Sequence, residues 1–165
     1  MKNRALIVFF FISMFSFSGL SQFELPDLLR LSKMNPADFE FYVLQKGYDF
    51  KKTITYDKNK FVHYKKFNKV NRRYICMKEL SSLDMDVRKC LNYQSSSNKD
   101  FINLKEYVES NGYELISENK AEFDDRNGMS MVYKKGDIEL WFVHWDDWFE
   151  LNIHEHSNQI SGLKK

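Results

Sequence analysis

The apolar positions of this chain follow two spacings in turn, helical periodicity and strict alternation. Helical spacing runs from Leu25 to Met34 and recurs in two stretches that begin at Asp38 and Asp100. Pro36 separates the first helix from the second. Eight alternating runs rich in aromatic and β-branched residues predict strands. They are Lys51 to Tyr56, Lys60 to Phe67, Arg72 to Leu80, Val87 to Tyr93, Glu114 to Asn119, Ser130 to Lys135, Asp137 to His144 and Trp148 to Glu155.

The second and third helical stretches end in the same way. One closes at Gly47-Tyr48 and the other at Gly112-Tyr113. A glycine just past a helix closes its last turn in the left-handed conformation, and the apolar residue after it covers that end. Asp38 and Asp100 lie where helix starts are expected. This shared pattern is the first sign of an internal duplication.

Two further echoes occur in the same order along the chain. The segment from Val62 to Lys66 resembles that from Met131 to Lys135, and Cys90-Leu91-Asn92-Tyr93 resembles Glu150-Leu151-Asn152-Ile153. The predicted fold class is therefore α+β, with two tandem units of a helix followed by antiparallel strands, packed into one compact domain. We place the first unit at residues 22–94, a Ser/Asn-rich linker at 95–98, the second unit at 99–157 and a tail at 158–165.

The first residues have the composition of a secretory signal peptide. Lys2 and Arg4 precede an apolar run, and the small residues of Ser18-Gly19-Leu20-Ser21 follow it. The alternative is an uncleaved anchor, but roughly 13 apolar residues are fewer than the about 20 that cross a bilayer as a helix. We predict cleavage after Ser21, export to the periplasm or the medium, and no stable membrane insertion afterwards.

Charge divides the chain into two halves of opposite sign. The whole chain has 25 Lys+Arg and 23 Asp+Glu, and loss of residues 1–21 leaves 23 of each. This balance disfavours nonspecific nucleic-acid binding, which needs a basic surface. Residues 22–92 carry a net charge of +6, and residues 93–165 carry −6. The asymmetry could steer a partner or help the halves dock, or reflect two independently solvated surfaces.

The two cysteines predict one disulfide in an exported chain. A hairpin that turns at Leu83 would place Cys76 directly opposite Cys90, near bridging distance. We expect a structural role for the pair, because the C-x-x-C spacing of redox catalysts does not occur. Free thiols in the core are the alternative.

All three tryptophans lie in one predicted hairpin that turns near Trp145 to Asp147. Alternation assigns one face to the core, with Ile138, Leu140, Phe142, Phe149, Leu151 and Ile153. The other face carries our candidate binding residues, which are Trp141, Val143, Trp148, Asn152 and His154, with Trp145 near the tip. Such an aromatic face is typical of protein, peptide or sugar binding when exposed. The alternative is that it packs against the first unit's sheet or a helix.

Histidines and carboxylates around this hairpin also suggest a metal site. They are His144, Asp146, Asp147, His154, Glu155 and His156. No second ligand pair of fixed spacing supports the idea, and a solvated hairpin end explains the same residues. No nucleophile motif such as G-x-S-x-G occurs, so we predict no catalytic residues, no metal and no cofactor. Asp124 to Gly128 is expected to form a hairpin turn with Asn127-Gly128 as its tight pair.

The layout resembles that of small exported bacterial inhibitor proteins such as the beta-lactamase inhibitory proteins. In that family, tandem helix-and-sheet units form a concave surface that grips an enzyme. The resemblance covers most of the mature chain as architecture and includes no shared motif, so it transfers no residue roles.

The expected function is that of an exported, non-enzymatic interaction protein of the inhibitor, immunity or envelope-binding type. Its expected partner is another exported or envelope protein. The alternative is a small metal-assisted hydrolase built on His144 and His154, and a purely structural envelope protein fits the same features.

Overall fold

The structure is a computed structural model that describes residues 23–56, 59–67, 73–81, 89–123 and 126–156, without the side chains of 56, 59, 60, 67, 73, 76–81, 89, 90 and 123. The predicted signal peptide and C-terminal tail lie outside these residues. The helices are α1 (Leu25–Lys33), α2 (Pro36–Gln45) and α3 (Asn98–Ser110). The strands are β1 (Asp49–Tyr56), β2 (Asn59–Phe67), β3 (Arg73–Ser81), β4 (Lys89–Ser95), β5 (Glu114–Phe123), β6 (Arg126–Lys135), β7 (Ile138–Trp145) and β8 (Phe149–Glu155). The α+β class is confirmed.

Local sequence explains where α2 and α3 begin and end. The side chain of Asn35 accepts a hydrogen bond from the Asp38 backbone N–H at the start of α2, and Ser97 does the same for Asp100 at the start of α3. Both helices end at a glycine with positive φ, 78° at Gly47 and 75° at Gly112, as the Gly-Tyr pattern predicts. The segment 95–98, predicted as a linker, contains the end of β4 and the start of α3.

The strands form one antiparallel sheet in the order β1-β2-β3-β4-β8-β7-β6-β5. Each half is a four-stranded meander, and the halves join side by side where β4 pairs with β8. We call this junction the seam. The first unit's sheet therefore extends the second unit's sheet edge to edge and does not pack against its face.

The register of the seam follows the sequence echo. Leu91 lies opposite Ile153, and Tyr93 lies opposite Leu151. The echo equates Leu91 with Leu151 and Tyr93 with Ile153, so equivalent residues meet in reversed order. This is the arrangement of a local twofold axis, and it passes between Asn92 and Asn152, which pair with each other.

The helices cover one face of the sheet. The apolar residues that they bury join a single core cluster with alternate residues of the strands, including Tyr64, Tyr93, Leu140, Phe142, Leu151 and Ile153. Helix α1 contacts both β4 and β8, so it lies over the seam. The predicted core face of the tryptophan hairpin is thus confirmed. None of the described helices has the length and apolar character needed to cross a membrane.

The register of β3 and β4 differs from the one expected for the cysteines. Cys76 lies opposite Tyr93, while Cys90 pairs with His154 on the other side of β4. The prediction that the two cysteines lie directly opposite each other was wrong. Paired residue numbers in this hairpin sum to 169, as 76 and 93 do, whereas a turn centred on Leu83 would give pairs that sum to 166. Both cysteine side chains lie outside the described residues, so the disulfide stays a prediction that thiol titration of the unfolded protein would test.

The turn expected at Asn127-Gly128 was also wrong. Strand β6 already begins at Arg126, and Phe123 pairs with Arg126. Asn127 and Gly128 therefore lie within the ladder, opposite Glu122 and Ala121. The glycine is needed there because of a tryptophan on the neighbouring strand, described below.

Candidate binding face on the second side of the sheet

The side of the sheet that faces away from the helices brings all six candidate binding residues together. Residues of β7 and β8 alternate between the buried core and this side. We call it the open face, because the buried apolar residues of α1, α2 and α3 all join the core on the other side. Around the seam and β7 it carries Asn92, Gln94, Trp141, Val143, Trp145, Trp148, Glu150, Asn152 and His154.

A ladder of hydrogen-bonded polar side chains occupies the centre of the open face, at the twofold axis. Asn92 Nδ2 donates to Asn152 Oδ1 (2.8 Å) and to Glu150 Oε1 (2.7 Å). Asn152 Nδ2 donates to Glu150 Oε1 at 2.7 Å, and Gln94 Nε2 donates to Glu150 Oε2 at 3.3 Å. Three amides thus hold the Glu150 carboxylate in place. We call these four residues the amide ladder.

Trp141 lies beside the amide ladder and is 42% exposed. It is paired with Asn152 in the sheet, and its ring lies 5.1 Å from that of His154, centroid to centroid. Its indole N–H donates to Glu139 Oε2 at 3.3 Å. One edge of the ring is therefore fixed while much of its surface meets solvent. A large, positioned aromatic side chain of this kind is typical of binding hot spots.

Trp145 and Trp148 form a different arrangement at the end of the hairpin. Their rings stack at 6.0 Å, and Trp145 is only 8% exposed. A Cβ at Gly128 would lie 2.8 Å from the Trp145 ring and 2.5 Å from the His144 carbonyl oxygen. Trp145 therefore packs onto the bare backbone of Gly128. These two tryptophans stabilise the hairpin end and offer less surface than Trp141.

The histidines of the alternative hydrolase hypothesis are not brought together. His144 lies on the helix side of the sheet, where its ring stacks on Phe101 at 4.0 Å. His154 lies on the open face beside Trp141. His156 Nε2 lies 3.1 Å from Glu139 Oε1. Within the residues that the structure describes, no group of three or more His, Cys, Asp or Glu side chains is arranged to hold a metal ion.

Local electrostatics differ between the two carboxylates beside Trp141. Burial raises the pKa of Glu139, but hydrogen bonds from His156 and Trp141 outweigh it and leave the pKa below its usual value. Lys134 Nζ also lies 3.4 Å from Glu139. Among the described residues, Glu150 accepts hydrogen bonds from neutral amides only. The charge of Glu139 is thus balanced by neighbours, whereas Glu150 has no cationic partner among the described ion pairs.

Sequence reasoning missed part of this site. It named Trp141, Asn152 and His154, but not Glu150, Asn92 or Gln94. A signal for Asn92 was present, since the echo of Cys90 to Tyr93 with Glu150 to Ile153 equates Asn92 with Asn152. Their meeting at the seam depends on how the two units join, which the echo does not specify.

Comparison of the chain with protein-family models, with curated proteins and with solved structures gives no match. The internal duplication allows the two halves of the chain to be compared with each other. In the order of the strands, β3 corresponds to β7 and β4 corresponds to β8. Because Met77 lies opposite Asn92 and Trp141 lies opposite Asn152, Met77 holds the position of Trp141 in the first half. By the same echo, Cys90 holds the position of Glu150.

Proposed function

We propose that this chain is an exported, non-enzymatic binding protein that docks a partner protein on the open face. The partner belongs to the same compartment, as another exported or envelope protein. The signal-peptide pattern of residues 1–21 supports export, and the architecture of two units sharing one sheet is compatible with a broad docking surface.

The observation that carries the proposal is the exposure of Trp141 at a position where the fold does not require tryptophan. The first half builds the same four-stranded meander with Met77 at the equivalent position. Exposing a large part of a tryptophan ring to water does not help folding, since burial of apolar area is what stabilises the fold. A binding role explains why the second half carries this residue.

The contact pattern favours binding over catalysis. A hydrolase of the kind considered above needs His144 and His154 near one metal or one substrate. The sheet separates them, since one lies under α3 against Phe101 and the other lies on the open face. The open face offers instead a fixed aromatic ring next to an ordered row of amides.

The test is partner capture with two matched variants. Mature protein is immobilised, a bound protein is identified from an envelope or medium extract of the source cells, and that protein is purified and titrated. We expect Trp141→Ala to weaken binding about tenfold or more, because hot-spot aromatics dominate interface energies. The urea midpoint should change little, since Trp141 is partly exposed.

The control is Phe41→Ala, which removes a 64% exposed aromatic side chain from α2, on the helix side. It should bind like the wild type. Equal binding by Trp141→Ala and the wild type would overturn the docking proposal, and a loss in Phe41→Ala alone would move the site to the helices.

Mass spectrometry of exported protein should find Gln22 as its first residue.

A further inference from the structure

The amide ladder and Trp141 together define the chemistry of what binds between them. We propose that the open face seats a cationic side chain, an arginine of the partner protein, between the Trp141 ring and the Glu150 carboxylate. This inference rests on the proposed function and names the group that the docking surface recognises.

The spacing between the two residues suits a guanidinium. Trp141 pairs with Asn152, and Glu150 is two residues from Asn152 on the same strand and the same face. Such diagonal neighbours lie about 7–8 Å apart. A cation within about 6 Å of a tryptophan centroid is attracted by the ring. The indole leans toward His154 and Glu139, on the far side of Asn152 from Glu150. A guanidinium that reaches both groups therefore has to lie over Asn152, with one edge at the ring and the other at the carboxylate.

The hydrogen-bonding state of Glu150 favours a donor. Its carboxylate is half-buried and oriented by the amides of Asn92, Asn152 and Gln94, and the described ion pairs give it no cation. A partly desolvated carboxylate is stabilised more by a cation than by neutral amides. In addition, Asn92 is 8% exposed and its Oδ1 has no hydrogen-bond partner within the described part of the chain. The ladder is thus richer in acceptors than in donors.

The half of the chain that contains both residues has an excess of acidic side chains. Residues 93–165, which contain Trp141 and Glu150, carry a net charge of −6. The neighbouring carboxylate, Glu139, is already engaged by Lys134 and His156, so Glu150 is the one left for an incoming cation.

Internal duplication again provides a comparison. The first half has Met77 where the second has Trp141, and Cys90 where the second has Glu150. The fold therefore requires neither an aromatic ring nor a carboxylate at these two positions. Both members of the proposed cation site are confined to the acidic half.

The experiment uses acetyl-Gly-Arg-Gly-amide as the probe and the same peptide with citrulline in place of arginine. Citrulline keeps the shape and loses the charge. The indole N–H signal of Trp141, assigned by its loss in Trp141→Ala, is followed by NMR on the mature protein. We expect a saturable shift in the millimolar range with arginine, at least about tenfold weaker with citrulline. Raising the salt to about 0.5 M should weaken the arginine titration.

Two variants test the carboxylate. Glu150→Gln should weaken arginine binding about tenfold, while Glu118→Gln, which removes an exposed carboxylate on β5, should leave it unchanged. Equal binding of arginine and citrulline by the wild type would overturn the inference, whether or not Glu150→Gln folds. No shift with either peptide would overturn it as well. Trp141-dependent capture of a partner alongside either result would leave the proposed function standing and remove only the arginine.

Discussion

At the residue scale, the tryptophan hairpin depends on a residue that has no side chain. Gly128 pairs with both Ala121 and Trp145, and its φ is not positive. Its role is therefore close packing, not turn formation. The Trp145 ring lies on the backbone that a Cβ would displace, which is one of the positional uses of glycine in strands.

Gly128→Ala should destabilise the protein by about 1–3 kcal/mol, as overpacking does in well-packed sites. The new methyl group would meet the His144 carbonyl oxygen and the Trp145 ring. Urea unfolding followed by tryptophan fluorescence measures the change. Ser130→Ala, on the same strand and face, should stay within about 0.5 kcal/mol. A Gly128→Ala variant as stable as the wild type would show that Trp145 can move aside without cost.

His144 makes stability depend on pH near neutrality. Burial lowers its pKa below 6.5, against a smaller opposite effect of Asp146, and burial and nearby lysines also lower the pKa of His63. The unfolded chain therefore takes up protons before the folded one as the pH falls through 6.5, so the free energy of unfolding decreases between pH 7.5 and 5.5. His144→Phe, which keeps a ring against Phe101, should flatten this slope in urea titrations at the two pH values. An unchanged slope would contradict this assignment.

At the element scale, the duplicated helices begin alike but in different surroundings. Asp100 is 3% exposed and accepts hydrogen bonds from Ser95 Oγ and Ser97 Oγ, both at 3.0 Å. Asp38, its counterpart in α2, is exposed and accepts a bond from Asn35 Nδ2 at 2.6 Å. Both carboxylates lie at a helix N-terminus, where negative charge is favourable.

Asp100→Ala should cost about 2 kcal/mol or more, because it leaves two buried hydroxyls without their acceptor. Asp38→Ala should cost about 0.5 kcal/mol, as expected for an exposed first-turn carboxylate. Urea unfolding of both variants compares them directly. Equal costs would show that burial of the cap adds nothing in α3.

At the scale of the whole molecule, the two halves share one core. α1 contacts both β4 and β8, and the core cluster contains residues of all three helices and of both meanders. The seam is a continuous ladder from Lys89 opposite Glu155 to Ser95 opposite Phe149. Neither half can lose its strands at the seam without exposing the apolar side chains that α1 covers.

The chain should therefore unfold in one cooperative transition. Tryptophan fluorescence reports only on the second half, since all three tryptophans lie there, whereas far-UV circular dichroism reports on both. The two urea curves should coincide. Leu91→Ala, at the seam, should lower the free energy of unfolding by about 2–5 kcal/mol and move both curves to lower urea together. A fluorescence transition separate from the dichroism transition would show that the halves fold independently.

The amino-acid sequence by itself determined the elements and their faces. Local signals such as Asp38 after Pro36, the Gly-Tyr helix ends and the alternation of Leu140, Trp141 and Phe142 depend on near neighbours, so they could be recognised from the sequence. The tertiary structure decided the rest, because registers between strands depend on distant contacts. It placed Cys76 opposite Tyr93 and packed the Trp145 ring against Gly128. It also brought Asn92 of one unit into contact with Asn152 and Glu150 of the other. The amide ladder exists only because two copies of one local pattern meet across a twofold axis.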